Sequence, residues 1–255
     1  IFMSTIIGNH IGGSQLNQTG GILQDVFNPS TGEVTAQVRF TTASELDEVV
    51  KVANDAVPAW SATSPSKRSQ VMYRFKSLLE EKAEIIARTI SSEHGKTHND
   101  ALGEVSRGLE AVEFSCGIPH LLKGTFSEQA ATSIDVYSIP QPLGVVAGIT
   151  PFNFPAMVPM WMFPNAIACG NAFILKPSER DPSVSLILAD LLKKAGLPDG
   201  IFNVVQGDKV VVDAILNHPE IKAVSFVGST PIAEYIYTQA ASKGKRVQAL
   251  GGAKN

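Results

Sequence analysis

The chain has 255 residues, of which 18% are charged and 44% hydrophobic, and its formal net charge is −3. This length can bury a substantial core in one or two domains, and the charge provides neither a basic surface for nucleic acid nor a polyacidic tail. The apolar opening, IFMSTIIG, is too short to span a membrane and lacks a basic flank, and two cysteines cannot form a disulfide framework. We therefore predict a globular, cytoplasmic protein with no nucleic-acid or membrane partner.

The amino-terminal part is predicted to begin with short strands. Residues 8–40 are rich in turn residues, with bends at 28–29 and 31–32, as is typical of strands joined by turns. A first helix is predicted over 44–58, because Ser44 can cap it and apolar residues recur on one face until a proline.

Two longer helices are predicted next, over 65–93 and 97–114. His94 and His98 lie at their junction, four residues apart, which is a spacing that can hold a metal on a helix. Gly95 interrupts the segment, however, and a metal site needs three or four ligands. We therefore interpret this segment as a connection between helices and expect no metal.

The second half of the chain alternates strands with helices. A strand over 132–140 lies outside the sheet that follows. Five further strands are predicted over 144–149, 171–175, 201–207, 223–228 and 246–250. The helices between them are predicted over 156–169, 182–195, 210–216 and 232–241. Parallel strands with intervening helices indicate the α/β fold class, with a doubly wound parallel sheet.

Polar groups follow two of these strands, at the edge where open α/β sheets bind their ligands. Thr150, Phe152 and Asn153 come after the first strand, and Lys176 and Glu179 come after the second. Taken singly, Asn153 could be a turn residue or a helix cap, and the Lys176 and Glu179 side chains could form an ordinary solvated pair. Their combination at neighbouring strand ends favours a binding site.

A third strand end carries a weaker signal. Gly228, Ser229 and Thr230 lie between a strand and a helix, so backbone N–H groups and a hydroxyl are available for a pyrophosphate. The G-x-G-x-x-G fingerprint of ordinary dehydrogenases does not follow the first strand of the sheet.

The motifs PFNFP and KPSE resemble the P-[FW]-N-[FY]-P turn and the K-P-[SA]-E strand end of the aldehyde dehydrogenase superfamily. NPSTGEV resembles a segment near the start of the same proteins. SRGLEAVEF, KPSERDP, VSFVGSTPIAEYI and KRVQALGGAKN resemble, more narrowly, the methylmalonate-semialdehyde dehydrogenases, which are also called malonate-semialdehyde dehydrogenases. The resemblance covers the chain from about residue 11 onward. One departure is Ala233, where the superfamily has the second glycine of G-S-T-x-x-G.

This resemblance implies an order of domains and an oligomer. Residues 1–122 would form an amino-terminal hairpin and the helical part of the cofactor domain. Residues 123–141 would form the strand of an oligomerisation arm, and 142–255 a Rossmann-like NAD-binding part. The family forms homo-oligomers, and a tetramer is expected here.

The resemblance also implies that the catalytic nucleophile is absent from this chain. In the family it is a cysteine that would lie roughly thirty residues beyond Asn255, where its surroundings activate the thiol. Cys116 and Cys169 are not expected to replace it, because a buried thiol without a basic or cationic neighbour is inert. The chain would then be the amino-terminal part of a longer enzyme.

Site residues follow from the matched motifs. Asn153 would donate a hydrogen bond to the oxyanion, and Arg107 would bind the carboxylate of the substrate. The alternative for Arg107 is an exposed ion pair with Glu104 or Glu110. The residues that would bind the cofactor are Thr150, Phe152, Lys176, Glu179, Arg180, Gly228 and Ser229. We expect NAD rather than NADP, because the Glu179 carboxylate would repel a 2′-phosphate.

The implied reaction is NAD-dependent oxidation and decarboxylation of malonate or methylmalonate semialdehyde, with transfer of the acyl group to coenzyme A. In hydrolytic relatives, the glutamate of the segment E-L-G-G-K can act as the general base toward the water that releases the acyl group. Here Leu250 takes its place if the chain is aligned on Ala253-Lys254-Asn255, and Ala249 takes it if the chain is aligned on the preceding glycines. Neither can accept a proton. The alternatives are a hydrolytic NAD-dependent aldehyde dehydrogenase, or a non-catalytic NAD-binding module if the chain truly ends here.

Overall fold

The computed structural model describes residues 5–16 and 21–252. The first four residues of the apolar opening, residues 17–20 and the closing Ala253-Lys254-Asn255 lie outside the described residues. The described strands are β1 (Thr5–Ile7), β2 (Asn9–Ile11), β3 (Ser14–Leu16), β4 (Leu23–Asn28), β5 (Glu33–Arg39), β6 (Phe126–Ala131), β7 (Ile134–Tyr137), β8 (Val145–Ile149), β9 (Ala172–Lys176), β10 (Phe202–Val204), β11 (Ile221–Gly228) and β12 (Arg246–Gly251). The described helices are α1 (Ala43–Ala62), α2 (Pro65–His94), α3 (His98–Cys116), α4 (Ile118–Leu121), α5 (Met157–Ala168), α6 (Ser183–Lys194), α7 (Lys209–Asn217) and α8 (Thr230–Ser242).

The central sheet has the strand order β12-β11-β8-β9-β10-β2-β3. Its first five strands are parallel, and β2 and β3 extend it in antiparallel pairing. Every residue of β8 and β9 is buried, which explains why these strands are nearly continuous apolar runs. From β8 the chain moves outward to β9 and β10, and then crosses back to β11 and β12. The strand order therefore reverses beside β8, and the predicted doubly wound α/β class is confirmed.

Helices cover the sheet through a core that contains an aromatic cluster. Phe163 of α5 lies with its ring centroid 4.8 Å from Phe202 of β10, 5.8 Å from Phe75 of α2 and 6.3 Å from Phe173 of β9. Such a side chain contributes both its buried apolar area and oriented ring contacts. Replacing Phe163 by alanine would therefore cost about 3–5 kcal/mol of stability.

Helix α1 begins earlier and ends later in the structure than the sequence pattern predicted. Its N-cap is Thr42, whose hydroxyl accepts from the Glu45 amide (3.2 Å) while the Glu45 carboxylate accepts from the Thr42 amide (2.7 Å). This reciprocal capping box satisfies two amides, so the prediction that Ser44 caps the helix is wrong. The predicted end at Pro58 is also wrong. The helix continues because Trp60 is buried and its indole N–H donates to the Ile167 carbonyl at 2.9 Å, which offsets the hydrogen bond that proline removes.

The predictions for α2 and α3 are confirmed. Gly95 has φ +83° after the last residue of α2, a left-handed conformation that glycine adopts without steric cost and that ends helices. Thr97 caps α3 and accepts from the Asp100 amide at 3.2 Å. The two histidines lie at the ends of the two helices. Within the described residues, no group of three or more His, Cys, Asp or Glu side chains could hold a metal ion.

The predicted strand over 132–140 is half of a hairpin. It is shorter than predicted, β7 (Ile134–Tyr137), and it pairs antiparallel with β6, which the sequence pattern did not reveal. Every residue of both strands is exposed, so the alternation of apolar and polar residues that identifies a half-buried strand is weak in β6. Strand β10 is also shorter than its predicted range of 201–207.

Candidate cofactor and catalytic site

A cleft of about 630 Å³ opens at the carboxyl edge of the sheet, beside the point where the strand order reverses. Doubly wound sheets bind their ligands at this position. The residues that line the cleft include all seven that the sequence predicted for the cofactor, namely Thr150, Phe152, Lys176, Glu179, Arg180, Gly228 and Ser229. They come from the ends of β8, β9 and β11, which are far apart in sequence and adjacent in the sheet.

Lys176 and Glu179 form an ion pair inside this cleft. Lys176 is the last residue of β9, and its Nζ lies 3.2 Å from Glu179 Oε2, with side-chain exposures of 7% and 30%. Burial lowers the pKa of Lys176, and the Glu179 carboxylate opposes that shift. The pair thus differs from a solvated surface pair, since the lysine is nearly buried and the carboxylate is only partly exposed.

The third wall of the cleft is the amino terminus of α8. Ser229 is the N-cap of this helix, and its side chain makes no capping hydrogen bond to the helix. A helix amino terminus carries partial positive charge and presents backbone N–H groups, which together favour an anion. Gly228, the last residue of β11, has no room for a side chain, because an added Cβ would lie 2.4 Å from the Phe226 ring.

Asn153 lies in the turn between β8 and α5, and its side chain is exposed. The helix that follows is capped at Ala156, so Asn153 is a turn residue and not a helix cap. Its backbone oxygen accepts a hydrogen bond of 2.8 Å from Lys96 Nζ. Lys96 in turn pairs with Glu104 at 2.6 Å. The turn is therefore held by charged groups from α3 and from the segment before it.

Sequence reasoning missed this role for Lys96 and Glu104. The sequence pattern indicates Glu104 only as a partner for Arg107, whereas the structure buries Glu104 completely. A signal was present in the spacing, because α3 buries a stripe of residues at helical intervals and a glutamate occupies one of those positions. The buried residues of α3 are Ala101, Glu104, Val105, Gly108, Val112, Ser115 and Cys116. A carboxylate on such a face indicates a specific buried partner.

Arg107 is exposed on α3 and points toward the same turn. Its guanidinium carbon lies 5.5 Å from the centroid of the Phe154 ring, and its Nε donates to the Gly103 carbonyl at 3.2 Å. Across the described parts of the chain, the ion pairs do not include Arg107, and Glu104 is occupied by Lys96. The structure thus does not favour the alternative in which Arg107 forms a surface ion pair with Glu104 or Glu110.

Phe152 separates the cofactor cleft from a second cavity of about 840 Å³, and it lines both. The Arg180 guanidinium carbon lies 5.0 Å from the centroid of its ring, and the His94 ring stacks on it at 5.9 Å. Three carboxyl residues to which the sequence analysis gave no role line the second cavity, namely Asp25, Glu93 and Asp181. Burial, and then the nearby Glu93 carboxylate, raise the pKa of the Asp181 carboxyl to about 8. Burial raises the pKa of Glu93 as well.

Neither cysteine of the sequence has the properties of an activated nucleophile. Cys116 is buried at the end of α3, and Cys169 is partly buried after α5. Burial raises the pKa of both thiols. A catalytic cysteine needs the opposite shift, because the thiolate is the reactive form.

Within residues 5–16 and 21–252, helices long and apolar enough to cross a membrane are absent.

The fold defines a doubly wound α/β protein with a cleft at the switch point of its sheet, where proteins of this class bind their ligands. The chain belongs to the aldehyde dehydrogenase family, whose model matches residues 17–255. This confirms the resemblance seen in the motifs.

Known relatives point to one branch of that family. A malonate-semialdehyde dehydrogenase from Pseudomonas aeruginosa is 57% identical over 247 residues, which are 97% of this chain and 50% of that protein. A methylmalonate-semialdehyde dehydrogenase structure from Oceanimonas doudoroffii has a TM-score of 0.96 and 56% identity, and the match covers 99% of this chain and 51% of that one. A Sinorhizobium meliloti structure complexed with NAD, provisionally assigned the same activity, has a TM-score of 0.97 and 56% identity over 100% of this chain and 52% of that one. The chain thus spans about half the length of the curated relatives it matches.

Proposed function

We propose that this chain is the amino-terminal, cofactor-binding part of an NAD-dependent malonate- or methylmalonate-semialdehyde dehydrogenase that transfers the acyl group to coenzyme A. The observation that carries the proposal is the cleft in which three strand ends bring together the predicted cofactor residues, with the Asn153 turn at its border. The names of the relatives support the substrate class.

The cleft suits NAD in its charges and its shape. Lys176 and Glu179 offer a donor and an acceptor for ribose hydroxyls, and the amino terminus of α8 suits the pyrophosphate. The Glu179 carboxylate disfavours the extra phosphate of NADP, and the Arg180 guanidinium lies over the Phe152 ring. When bound, NAD supplies the hydride acceptor of the reaction. The NAD complex of the Sinorhizobium meliloti relative supports this choice of cofactor.

Asn153 has the chemistry that the oxyanion requires. Attack of a thiolate on an aldehyde places negative charge on the oxygen, and an amide N–H donates at every pH without adding a positive charge that would oppose departure of the hydride. In the proposed longer enzyme, the thiolate belongs to a cysteine beyond Asn255, as the family resemblance implies. Asn153 is exposed and directly follows Phe152, which lines the cleft, so a substrate can reach it.

Arg107 is proposed to bind the carboxylate of the 3-oxo acid. Its guanidinium can donate two parallel hydrogen bonds to a carboxylate, which a lysine cannot do in the same plane. Arg107 contacts the ring of Phe154, the residue that follows Asn153, so the two proposed substrate groups belong to the same turn region. Carboxylate binding would then orient the aldehyde carbon.

Coenzyme A is proposed as the acyl acceptor because the base for hydrolysis is missing. Both candidates for its position, Ala249 and Leu250, lie on β12 and have apolar side chains. A thioester formed on the enzyme would therefore resist water and wait for a thiol. The thiolate of coenzyme A is a good nucleophile toward a thioester, even as a minority species at neutral pH.

A homo-oligomer is proposed from the hairpin formed by β6 and β7. Apolar side chains on this hairpin are more than half exposed, which is unusual for a monomer surface and typical of an interface. These side chains are Phe126, Ile134, Val136 and Tyr137. A tetramer follows from the family resemblance, and sedimentation analysis would test it. Cytoplasmic localisation stays a prediction from the sequence.

The decisive experiment measures steady-state NADH formation by the longer enzyme with and without coenzyme A, and identifies the product. We expect sustained turnover only with coenzyme A, and an acyl-coenzyme A product. Undiminished turnover to a free acid without coenzyme A would instead identify a hydrolytic aldehyde dehydrogenase. Sequencing the gene past the codon for Asn255 comes first, since a stop codon there would leave a non-catalytic NAD-binding module.

A further inference from the structure

The turn that contains Asn153 contacts a nearly buried ion pair formed by Lys96 and Glu104. Lys96 Nζ lies 2.6 Å from Glu104 Oε2, and the two side chains are 11% and 0% exposed. Removing two charges from water is costly, and such a pair is stable only if further hydrogen bonds satisfy both groups. Those hydrogen bonds run to the segment between β8 and α5.

The two charges contact that segment at two places, near its middle and at its end. Glu104 Oε1 accepts from the backbone amides of Ala156 (2.8 Å) and Met157 (3.1 Å), where α5 begins. These amides have no partner within their own helix, and a carboxylate at a helix amino terminus also has a favourable interaction with the helix dipole. Lys96 Nζ donates to the Asn153 carbonyl at 2.8 Å. One ion pair therefore spans residues 153–157 and fixes the backbone on both sides of Phe154.

The same pair also connects with the residue proposed to bind the substrate carboxylate. Lys96 Nζ lies 4.4 Å from the centroid of the Phe154 ring, and the Arg107 guanidinium carbon lies 5.5 Å from that centroid. Both contacts are cation–π interactions, which keep the ring close to both cations. The geometry thus connects the oxyanion donor and the carboxylate-binding residue through one aromatic side chain.

We propose that Lys96 and Glu104 are positioning residues for the reaction, and that they set the orientation of Asn153 toward the oxyanion. This rests on the proposed function. Neither side chain contacts the reacting atoms, so their effect is exerted through the backbone of the turn. An oxyanion donor is effective only if it is aimed at the place where charge develops, and a small displacement removes much of its benefit.

The test uses the double variant Lys96→Met/Glu104→Leu, which replaces both charges with apolar side chains of similar length. Removing one charge alone would leave the other buried and unpaired, and the protein could fail to fold for that reason. In the longer enzyme we expect kcat to fall roughly tenfold, because the donor is no longer aimed, while the Kd for NAD stays within about twofold. Lys51→Met is the matched control, since Lys51 pairs with Asp55 on the exposed surface of α1; its kcat should not change.

A double-mutant cycle separates positioning from general damage. Introduced into an Asn153→Ala background, the double variant should lower kcat by less than about twofold, because the group that it positions is already absent. An equal loss of roughly tenfold in both backgrounds would overturn the proposal, since the effect would then not pass through Asn153.

Amide exchange in this chain tests the same contact independently of activity. In the double variant, the amides of Ala156 and Met157 lose their acceptor, and we expect their hydrogen exchange to accelerate by roughly tenfold or more, while amides of β9 exchange as before. Unchanged exchange would overturn the proposal. If the longer enzyme oxidised no aldehyde at all, the proposed function would fail, and the exchange rates would still show whether the ion pair holds the turn.

Discussion

The candidate site has a cofactor side and a substrate side, and the described residues enclose the first more completely than the second. On the cofactor side, the cleft is lined by strand ends and by the start of α8, and Lys176 is nearly buried in it. On the substrate side, Asn153 and Arg107 are exposed and lie on a turn and a helix surface. From this contrast we expect cofactor affinity to be measurable in this chain, whereas the proposed chemistry requires the proposed longer enzyme.

Among the variants that test this difference between the two sides, Asn153→Ala is expected to have the largest effect on kcat. In the longer enzyme, loss of an oxyanion donor should lower kcat by about a hundredfold or more. The affinity of the chain for NAD should not change, because the cofactor residues are elsewhere in the cleft. Steady-state kinetics and NAD titration by fluorescence would measure the two effects. Asn99→Ala, in the exposed first turn of α3, is the control.

If Asn153→Ala changed kcat by less than about threefold while the fold stayed intact, the oxyanion role would be wrong. Asn153 would then be an ordinary turn residue, and the two sides of the site would no longer differ in this way.

The next effect concerns the substrate carboxylate. Arg107→Leu should raise KM for malonate semialdehyde by roughly tenfold or more, since two charge-assisted hydrogen bonds are lost, and should change KM for propanal by less than about twofold. Arg88→Leu removes an equal charge from the exposed ion pair with Glu84 and serves as the control. Equal increases for both aldehydes would show that Arg107 supports the structure and does not recognise the carboxylate.

The sequence predicted which residues line the cleft because the signals for them are local. β8 and β9 are uninterrupted apolar runs, and the polar residues that follow them reach the same edge by the geometry of parallel strands alone. The end of α1 could not be predicted in this way, because proline normally ends a helix and the contact that overrides it, Trp60 with Ile167, spans more than a hundred residues of sequence.

The missed parts of the site depend on tertiary contacts. Lys96 and Glu104 meet the turn only after α3 packs on α5, and Glu104 looks like a surface residue until its neighbours on the helix are known to be buried. Glu93 and Asp181 come from segments that are distant in sequence, so no spacing rule joins them. The resemblance to a family added residue roles that neither composition nor periodicity contains.

A smaller effect is expected within the cofactor cleft itself. Glu179→Gln keeps the size of the side chain and removes the charge that would repel a 2′-phosphate, so the preference for NAD over NADP should fall by roughly fivefold or less at a partly exposed site. Titration of this chain with both cofactors would measure it. Glu234→Gln changes the net charge equally on the exposed face of α8 and should leave the preference unchanged. Tighter binding of NADP than of NAD by the unaltered chain would contradict the cofactor assignment.

The smallest effect concerns Asp181, which is almost completely buried behind Phe152. Its pKa of about 8 lies above the ordinary value of 3.8, so between these pH values the folded chain holds a proton that the unfolded chain releases. The stabilisation associated with that proton is therefore present at low pH and is lost as the pH rises toward 8.

Asp181→Asn is neutral at every pH and should escape the loss. The Tm of the variant minus that of the unaltered chain should therefore increase between pH 5 and pH 8.5, by about 2–4 °C for each kcal/mol of stabilisation that the unaltered chain loses. Asp55→Asn, at an exposed position, should show no such trend. A Tm difference that stayed constant with pH would mean that Asp181 is already ionised in the folded chain at neutral pH. The cavity that Asp181 lines would then tolerate a charge as the exposed substrate side does.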